Sequence, residues 1–313
     1  MKRLSMGVLV AGLSCLLVLA SPAAGGGSSG SASGQIVFVT ERLCGQTDCG
    51  GGITVVNSDG SGMRLLHRQR AATRVTEYSP KWSPDRREIA YVRPSRSRPG
   101  SAQVWLMAAD GTHRRQLTHL PPTGSLQLFS GDGTAIDWSP NGRQLVFADG
   151  PSGNLYVANA RTGAVSLLRR TPYYWVTEPV WSPDGRWIVF IETPRGGGTS
   201  QLIRLSTRTH RLRQLTHLPK NFGVTSNPSW SPDSRRIALH LGAGLHVINL
   251  DGSHLRSLRT ERLYGIEPSW SPDGISIVFA DGNNLAVMKA NGFSRHLITH
   301  LPAGKWAAFE PDW

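Results

Sequence analysis

Beyond residue 35 the apolar positions fall in short, regularly spaced runs with turn-forming residues between them. One set of runs is Arg87–Val92, Arg143–Phe147, Arg186–Phe190, Arg236–Leu239 and Ile275–Phe279. Each is four to six residues long and rich in Ile, Val and Phe, too short for a stable helix and well suited to a buried strand. A second set follows at Val104–Met107, Leu155–Val157, Ile203–Leu205, Leu245–Ile248 and Leu285–Met288. A third set comes at Arg115–Thr118, Val165–Leu168, Arg213–Thr216, Arg256–Leu258 and His296–Thr299. Asp59-Gly60, Asp110-Gly111, Asp251-Gly252 and Asn291-Gly292 stand just before the third kind of run, and such pairs favour the tight turns of hairpins.

The first set is always preceded by the same element. Trp-Ser-Pro-Asp occurs at 82–85, 181–184, 230–233 and 270–273, and Trp138-Ser139-Pro140-Asn141 is a near copy. Pro presets φ, Asp accepts backbone N–H bonds, and Gly185 or Gly274 supplies the left-handed position, so the element reads as a tight turn between a Trp-bearing strand and the next strand. With that strand included, each unit has four strands, and the Trp residues recur every 40 to 56 positions. This predicts an all-β chain forming a six-bladed β-propeller with four-stranded blades.

The sixth unit is split. Glu310-Pro311-Asp312-Trp313 matches Glu267-Pro268-Ser269-Trp270 and Glu178-Pro179-Val180-Trp181, while Gln35–Val39 resembles a second strand without its turn. The C-terminal strand is therefore expected to pair with the N-terminal blade and close the ring, which protects sheet edges that would otherwise template aggregation.

The segment before residue 35 has a different pattern. Met1-Lys2-Arg3, the apolar run 7–20 and the small residues around Ser21-Pro22-Ala23 read as an export signal over 1–23, followed by a Gly/Ser-rich linker over 24–34 and the propeller over 35–313. The run is shorter than the roughly 20 residues a membrane span needs, so no span is expected after cleavage. A secreted or periplasmic location follows. Cys44 and Cys49 fit it as a disulfide within a hairpin loop, since two nearby cysteines in an oxidising compartment usually bond. The formal net charge is +13, carried mostly by scattered Arg, which implies a weak attraction to anionic surfaces without specific nucleic-acid recognition.

The Trp-Ser-Pro-Asp-Gly unit followed by an Ile-x-Phe strand resembles the repeat of TolB-like six-bladed propellers, which also occurs in the propellers of prolyl-oligopeptidase-like enzymes. The resemblance covers residues 35 to 313 and implies the fold. TolB-like proteins carry a small α/β domain ahead of the propeller, through which they contact envelope partners, and no counterpart is expected in the linker here. The hydrolase elbow Gly-x-Ser-x-Gly of prolyl-oligopeptidase-like enzymes has one literal match, Gly26–Gly30, which lies in that linker without a strand or helix around it. His119, His217 and His300 recur once per blade in Leu-Thr-His-Leu-Pro copies, as expected of rim positions set by the repeat.

Two groups of positions are candidate binding residues. Three residues before each repeated Trp stand Ser79, Ala135, Glu178, Asn227, Glu267 and Glu310. In this architecture they are expected to form a ring around the channel, where the carboxylates and amide could meet a cation such as calcium, or a ligand's amine or hydroxyls. The alternative is that each Glu accepts backbone N–H bonds in its own loop. No resident cofactor or metal is assigned. The loops leading to those strands carry Tyr78, Tyr173, Tyr174, Trp175, Phe222, Tyr264, Trp306 and Phe309, an aromatic mouth suited to protein or carbohydrate contact. The sequence reading is a monomeric, non-enzymatic scaffold that binds an envelope or extracellular protein or glycan. Its alternatives are a propeller-based enzyme resembling the sugar lyases with similar repeats, and a purely structural accessory protein of the envelope.

Overall fold

The computed structural model describes residues 34–42, 51–68, 77–95, 101–120, 136–149, 153–220, 222–242, 244–258 and 267–313. The expected signal, nearly all of the linker, Cys44, Cys49, Ala135 and Tyr264 lie outside the described residues. Chain order begins with β1 (Gln35–Arg42), β2 (Gly52–Asn57) and β3 (Arg64–Arg68). Blade 1 is β4 (Tyr78–Trp82), β5 (Glu88–Pro94), β6 (Ala102–Ala108) and β7 (Arg115–Gln116). Blade 2 is β8 (Ile136–Trp138), β9 (Gln144–Asp149), β10 (Asn154–Asn159) and β11 (Val165–Arg169). Blade 3 is β12 (Tyr174–Trp181), β13 (Trp187–Pro194), β14 (Gln201–Ser206) and β15 (Leu212–Gln214). Blade 4 is β16 (Val224–Trp230), β17 (Arg236–Leu241), β18 (Gly244–Asn249) and β19 (Arg256–Ser257). Blade 5 is β20 (Ser269–Trp270), β21 (Ser276–Asp281), β22 (Asn284–Lys289) and β23 (His296–Leu297), and β24 (Trp306–Asp312) ends the chain.

Six four-stranded antiparallel sheets result, and the sixth has the order β24-β1-β2-β3. Val39 faces Phe309 and Arg42 faces Trp306, so blade 6 is completed by the last strand as the repeat predicts. No α-helix occurs among the described residues, and none of their segments is a helix long and apolar enough to cross a membrane.

The core lies between blades. Side chains alternate faces along a strand, so neighbours in sequence enter different interblade layers. Ile36 and Phe38 pack with Val278, Leu285 and Trp313 on the blade 5 side, whereas Val37 packs with Trp82, Ile89 and Tyr91 on the blade 1 side. Four further apolar clusters fill the other interfaces in the same way. Both faces of the second strand are thereby buried, which is why its sequence reads as a near-continuous apolar run and not as an alternation.

The turn chemistry repeats as closely as the strands do. Asp85 accepts the Ser83 hydroxyl and the Arg87 N–H, and the Ser83 hydroxyl accepts the Glu88 N–H. The same bonds recur around Asp184, Asp233 and Asp273, and Asn141 takes the Asp role in blade 2. The left-handed residue is Gly in three blades but Arg86 (φ 60) and Ser234 (φ 58) in blades 1 and 4. At the rim, the turn between the two outer strands leans on the preceding blade. Gly163 (φ 72) lies so close that an added Cβ would stand 2.0 Å from the Leu117 carbonyl oxygen. Thr118, Thr216 and Thr299 finish each outer strand differently from the sequence expectation. Their hydroxyls accept the N–H of Val104, Leu202 and Leu285, so the regular ladder stops one or two residues early.

Candidate binding site

In five of the six blades a Pro stands two residues before the repeated Trp, at 80, 179, 228, 268 and 311, where blade 2 has Ile136, and Pro cannot donate to the ladder. The pairing register shifts at that point in β4, β12, β16 and β24, forming bulges. The residue before the Pro turns left-handed at Ser79 (φ 51), Glu178 (φ 54), Asn227 (φ 28) and Glu310 (φ 53). A non-glycine residue in that region is uncommon and costs energy unless its surroundings hold it there. Here the bulge takes the residue's N–H out of the ladder and aims it along the circumference of the channel.

The preceding blade supplies the acceptor. Glu310 accepts the Ser79 N–H at 2.6 Å, Glu178 accepts the Asn227 N–H, and Glu267 accepts the Glu310 N–H. The ring of polar residues is therefore real, but its carboxylates reach to the equivalent residue of the next blade. These bonds run between blades and not within one loop. Among the described residues no group of three His, Cys, Asp or Glu side chains is placed to hold a metal ion. Ser79, Lys81, Glu178, Val180, Asn227, Glu267 and Glu310, with Pro228, Pro268 and Pro311, line one narrow opening in the channel.

A second ring lies one residue before each Trp. Asp312, Asp137, Ser229 and Ser269 use their side chains to accept the main-chain N–H of Trp82, Trp181, Trp270 and Trp313 in the next blade, at 2.7 to 3.1 Å. Lys81 and Val180 occupy this position in blades 1 and 3 and cannot accept. There the following Trp instead donates its indole N–H to their carbonyl oxygens, Trp138 to Lys81 at 3.2 Å and Trp230 to Val180 at 3.3 Å. Lys81 also binds Asp312 at 3.1 Å. Burial alone would lower the Lys81 ammonium, but Asp312, Asp137 and Glu310 outweigh it and hold it above its ordinary range. Burial pushes the Asp137 carboxyl up to about 7, with Lys81 opposing and Asp312 adding to the shift. This cluster spans blades 6, 1 and 2. Its signal in the sequence was a lone Lys and two Asp residues at one repeat position.

The aromatic residues divide. Tyr173 is 78% exposed, and Tyr174, Trp175 and Phe222 are also exposed. Arg195 donates its N–H to the Tyr173 carbonyl, tying that loop to the neighbouring hairpin, and the Phe222 ring lies over Gly242. Beside them, the Arg169 Nε and Thr171 Oγ1 are buried without a hydrogen-bond partner. Tyr78 instead packs into the blade 1–blade 2 core, where burial raises its phenol well above the usual range, and Phe309 and Trp306 are half-buried. His119, His217 and His300 are exposed at the rim on different blades.

Comparisons agree with this architecture. TolB from Acinetobacter baumannii superposes with a TM-score of 0.71 at 23% identity, covering 91% of this chain and 67% of that one. A chain of a nidogen/laminin complex superposes at 0.64 with 10% identity, covering 89% of this chain and 98% of that one. At these identities the likeness concerns the fold alone. An uncharacterized peptidase of Bacillus subtilis, YuxL, is 30% identical over 176 residues, which is 56% of this chain but only 22% of that protein. Residues 26–222 match the TolB beta propeller domain family, and with its six four-stranded blades the chain belongs to that family.

Proposed function

We propose that the chain is an exported, non-enzymatic scaffold that binds a protein or glycan partner through its loop-bearing mouth. The observation that carries the reading is the exposed run Tyr173-Tyr174-Trp175, with Phe222 of the next blade, held on strand ends that the propeller fixes. Aromatic side chains with a polar tip suit contacts of this kind, because they bury much area while losing few rotamers. A scaffold role also suits the channel, whose carboxylates are taken up in joining blades. The word peptidase belongs to a protein of which this chain matches about a fifth, and does not carry over.

The test replaces Tyr173, Tyr174 and Trp175 together by Ser, Thr and Thr, which suit a strand entrance. The variant should melt within a few degrees of the wild type and lose capture of envelope or extracellular material that the wild type retains on affinity beads. Unchanged capture would overturn the role of the mouth. Loss of folding would show instead that these aromatics are structural.

A further inference from the structure

In blades 1 to 5 the turn between the first two strands and the turn between the last two lie at the same end, opposite the mouth, and the outer turn of blade 6 lies there too. The six blades are copies of one unit, so each position can be compared with its counterparts inside the same chain. The residue two past the Asp or Asn of the inner turn is Arg87, Arg143, Arg186 and Arg235 in blades 1 to 4, all exposed. In blade 5 it is Ile275, 58% exposed. The residue after the Gly of the outer turn is Ser61, Thr112 and Ser253 in blades 6, 1 and 4, each with its hydroxyl on the turn Asp. In blade 5 it is Phe293, 70% exposed. The two departures sit together: Ala290 donates its N–H to the Ile275 carbonyl, and Lys289 donates to the Phe293 carbonyl.

Neither residue serves the fold. The turn Asp273 and Asn291 make their main-chain bonds to Ile275 and Phe293 regardless of side chain, as in the other blades. Two large apolar side chains therefore project from the tip of one blade, where blades 1 to 4 place Arg in the inner turn and blades 6, 1 and 4 place Ser or Thr in the outer one. Their surroundings are basic. The outer turn of blade 5 leans on blade 4, with Gly292 against the Leu258 carbonyl, two residues from the exposed Arg256. Arg235 of blade 4 and Arg87, Arg143 and Arg186 further round the ring are exposed on the same end. Asp233, Asp251 and Asp273 are exposed at this end as well, each accepting hydrogen bonds from its own turn.

We infer that this end of the propeller docks on an anionic lipid surface, with Ile275 and Phe293 inserted among the acyl chains and Arg235 and Arg256 against headgroup phosphates. Isolated apolar knuckles among exposed arginines suit a bilayer interface, where apolar burial and attraction to acidic lipid add. Docked this way, the mouth faces away from the membrane.

The test is flotation with vesicles of 30% phosphatidylglycerol in phosphatidylcholine, using a chain that begins at Ala24 so that the apolar run 7–20 is absent; the strands among the described residues lie within 35–312. The wild type should float with these vesicles and bind pure phosphatidylcholine at least tenfold more weakly. The double variant Ile275→Arg, Phe293→Ser carries the residues of blade 4 and should fold, yet lose at least tenfold in binding although it gains a positive charge. Arg235→Glu with Arg256→Glu should lose binding by a similar factor, and circular dichroism checks that both variants keep their sheet content. A wild type that does not float overturns the proposal. So does an Ile275/Phe293 variant that binds as well as or better than wild type, which would mark this end as a purely electrostatic surface for a soluble polyanion.

Discussion

Two kinds of joint hold the ring, and the residue before each repeated Trp decides which is used. Where it is Asp or Ser, its side chain accepts the next Trp main-chain N–H, and the indole N–H of Trp82, Trp181, Trp270 and Trp313 stays buried without a partner. Where it is Lys81 or Val180, the indole reaches back to the carbonyl oxygen. The Trp ring occupies an interblade layer in both cases. The first kind of joint satisfies the Trp main-chain N–H but leaves a buried indole donor unmet, which costs about 1–3 kcal/mol.

The joint between blades 6 and 1 is the densest of the first kind. Glu310 and Asp312 accept N–H groups of Ser79 and Trp82, Asp312 holds Lys81, and Trp313 fills the layer against blade 5. Deleting 306–313 removes all of this together with a whole strand of blade 6. The melting temperature should fall by about 10 °C or more, with loss of a single sharp transition in a thermal scan. A truncated chain melting like the intact one would show that the closure contributes little.

The rim makes a separate contribution, and it can be set against the inner ring. Gly163→Ala would push a Cβ into the Leu117 carbonyl, whereas Gly282→Ala, also at positive φ (60), meets nothing within 4 Å. The second carries only the left-handed strain of about 1–2 kcal/mol. Denaturant titration should find the first costlier by about 2 kcal/mol, because backbone of the neighbouring blade has to move. Equal costs would mean that the rim gives way and the inner joints alone set the spacing of the blades.

The two joints themselves separate on a finer scale. Trp230→Phe deletes a hydrogen bond to Val180, and Trp313→Phe deletes a donor that has no partner. Both lose similar packing in their layers, so the difference isolates the indole. Trp230→Phe should be the more destabilising by about 1 kcal/mol in chemical unfolding. The reverse order would show that the unpaired indoles are satisfied by water in solution.

Much of this architecture could be read from the residues, and the limits have definite causes. Repetition of Trp-Ser-Pro-Asp reports the blades because every copy must make the same turn, and Glu310-Pro311-Asp312-Trp313 reports the closure for the same reason. The ring of Ser79, Glu178, Asn227, Glu267 and Glu310 was legible as a set of channel positions, but its bonding was not. A residue before Pro is ordinarily extended, so nothing local announced that Glu178 would turn left-handed and face the next blade. The exchange at Lys81 and Val180 was hidden too, since its partners stand 57 and 50 residues apart in the sequence. The recurring His drew attention away from the Thr before it, whose hydroxyl ends the outer strand.

A further comparison concerns a joint whose acceptor can change its charge near neutral pH. Asp137 accepts the Trp181 N–H at 2.7 Å, and its carboxyl is pushed up to about 7, chiefly by burial, from an ordinary value of 3.8. A carboxyl with a raised folded-state pKa binds its proton more tightly in the folded chain than in the unfolded one. Its contribution is therefore fully present below about pH 4, shrinks as pH rises and is gone above about pH 7. Asp137→Asn keeps an oxygen for the Trp181 N–H and leaves Lys81 its bond to Asp312, but does not titrate. Relative to wild type the variant should thus gain stability between pH 5 and pH 8 in parallel denaturant titrations, and the gain should level off above pH 8. A gap between the two proteins that stays constant with pH would mean that Lys81 keeps Asp137 ionised throughout, so that the joint between blades 2 and 3 is an ordinary carboxylate joint like the one made by Asp312.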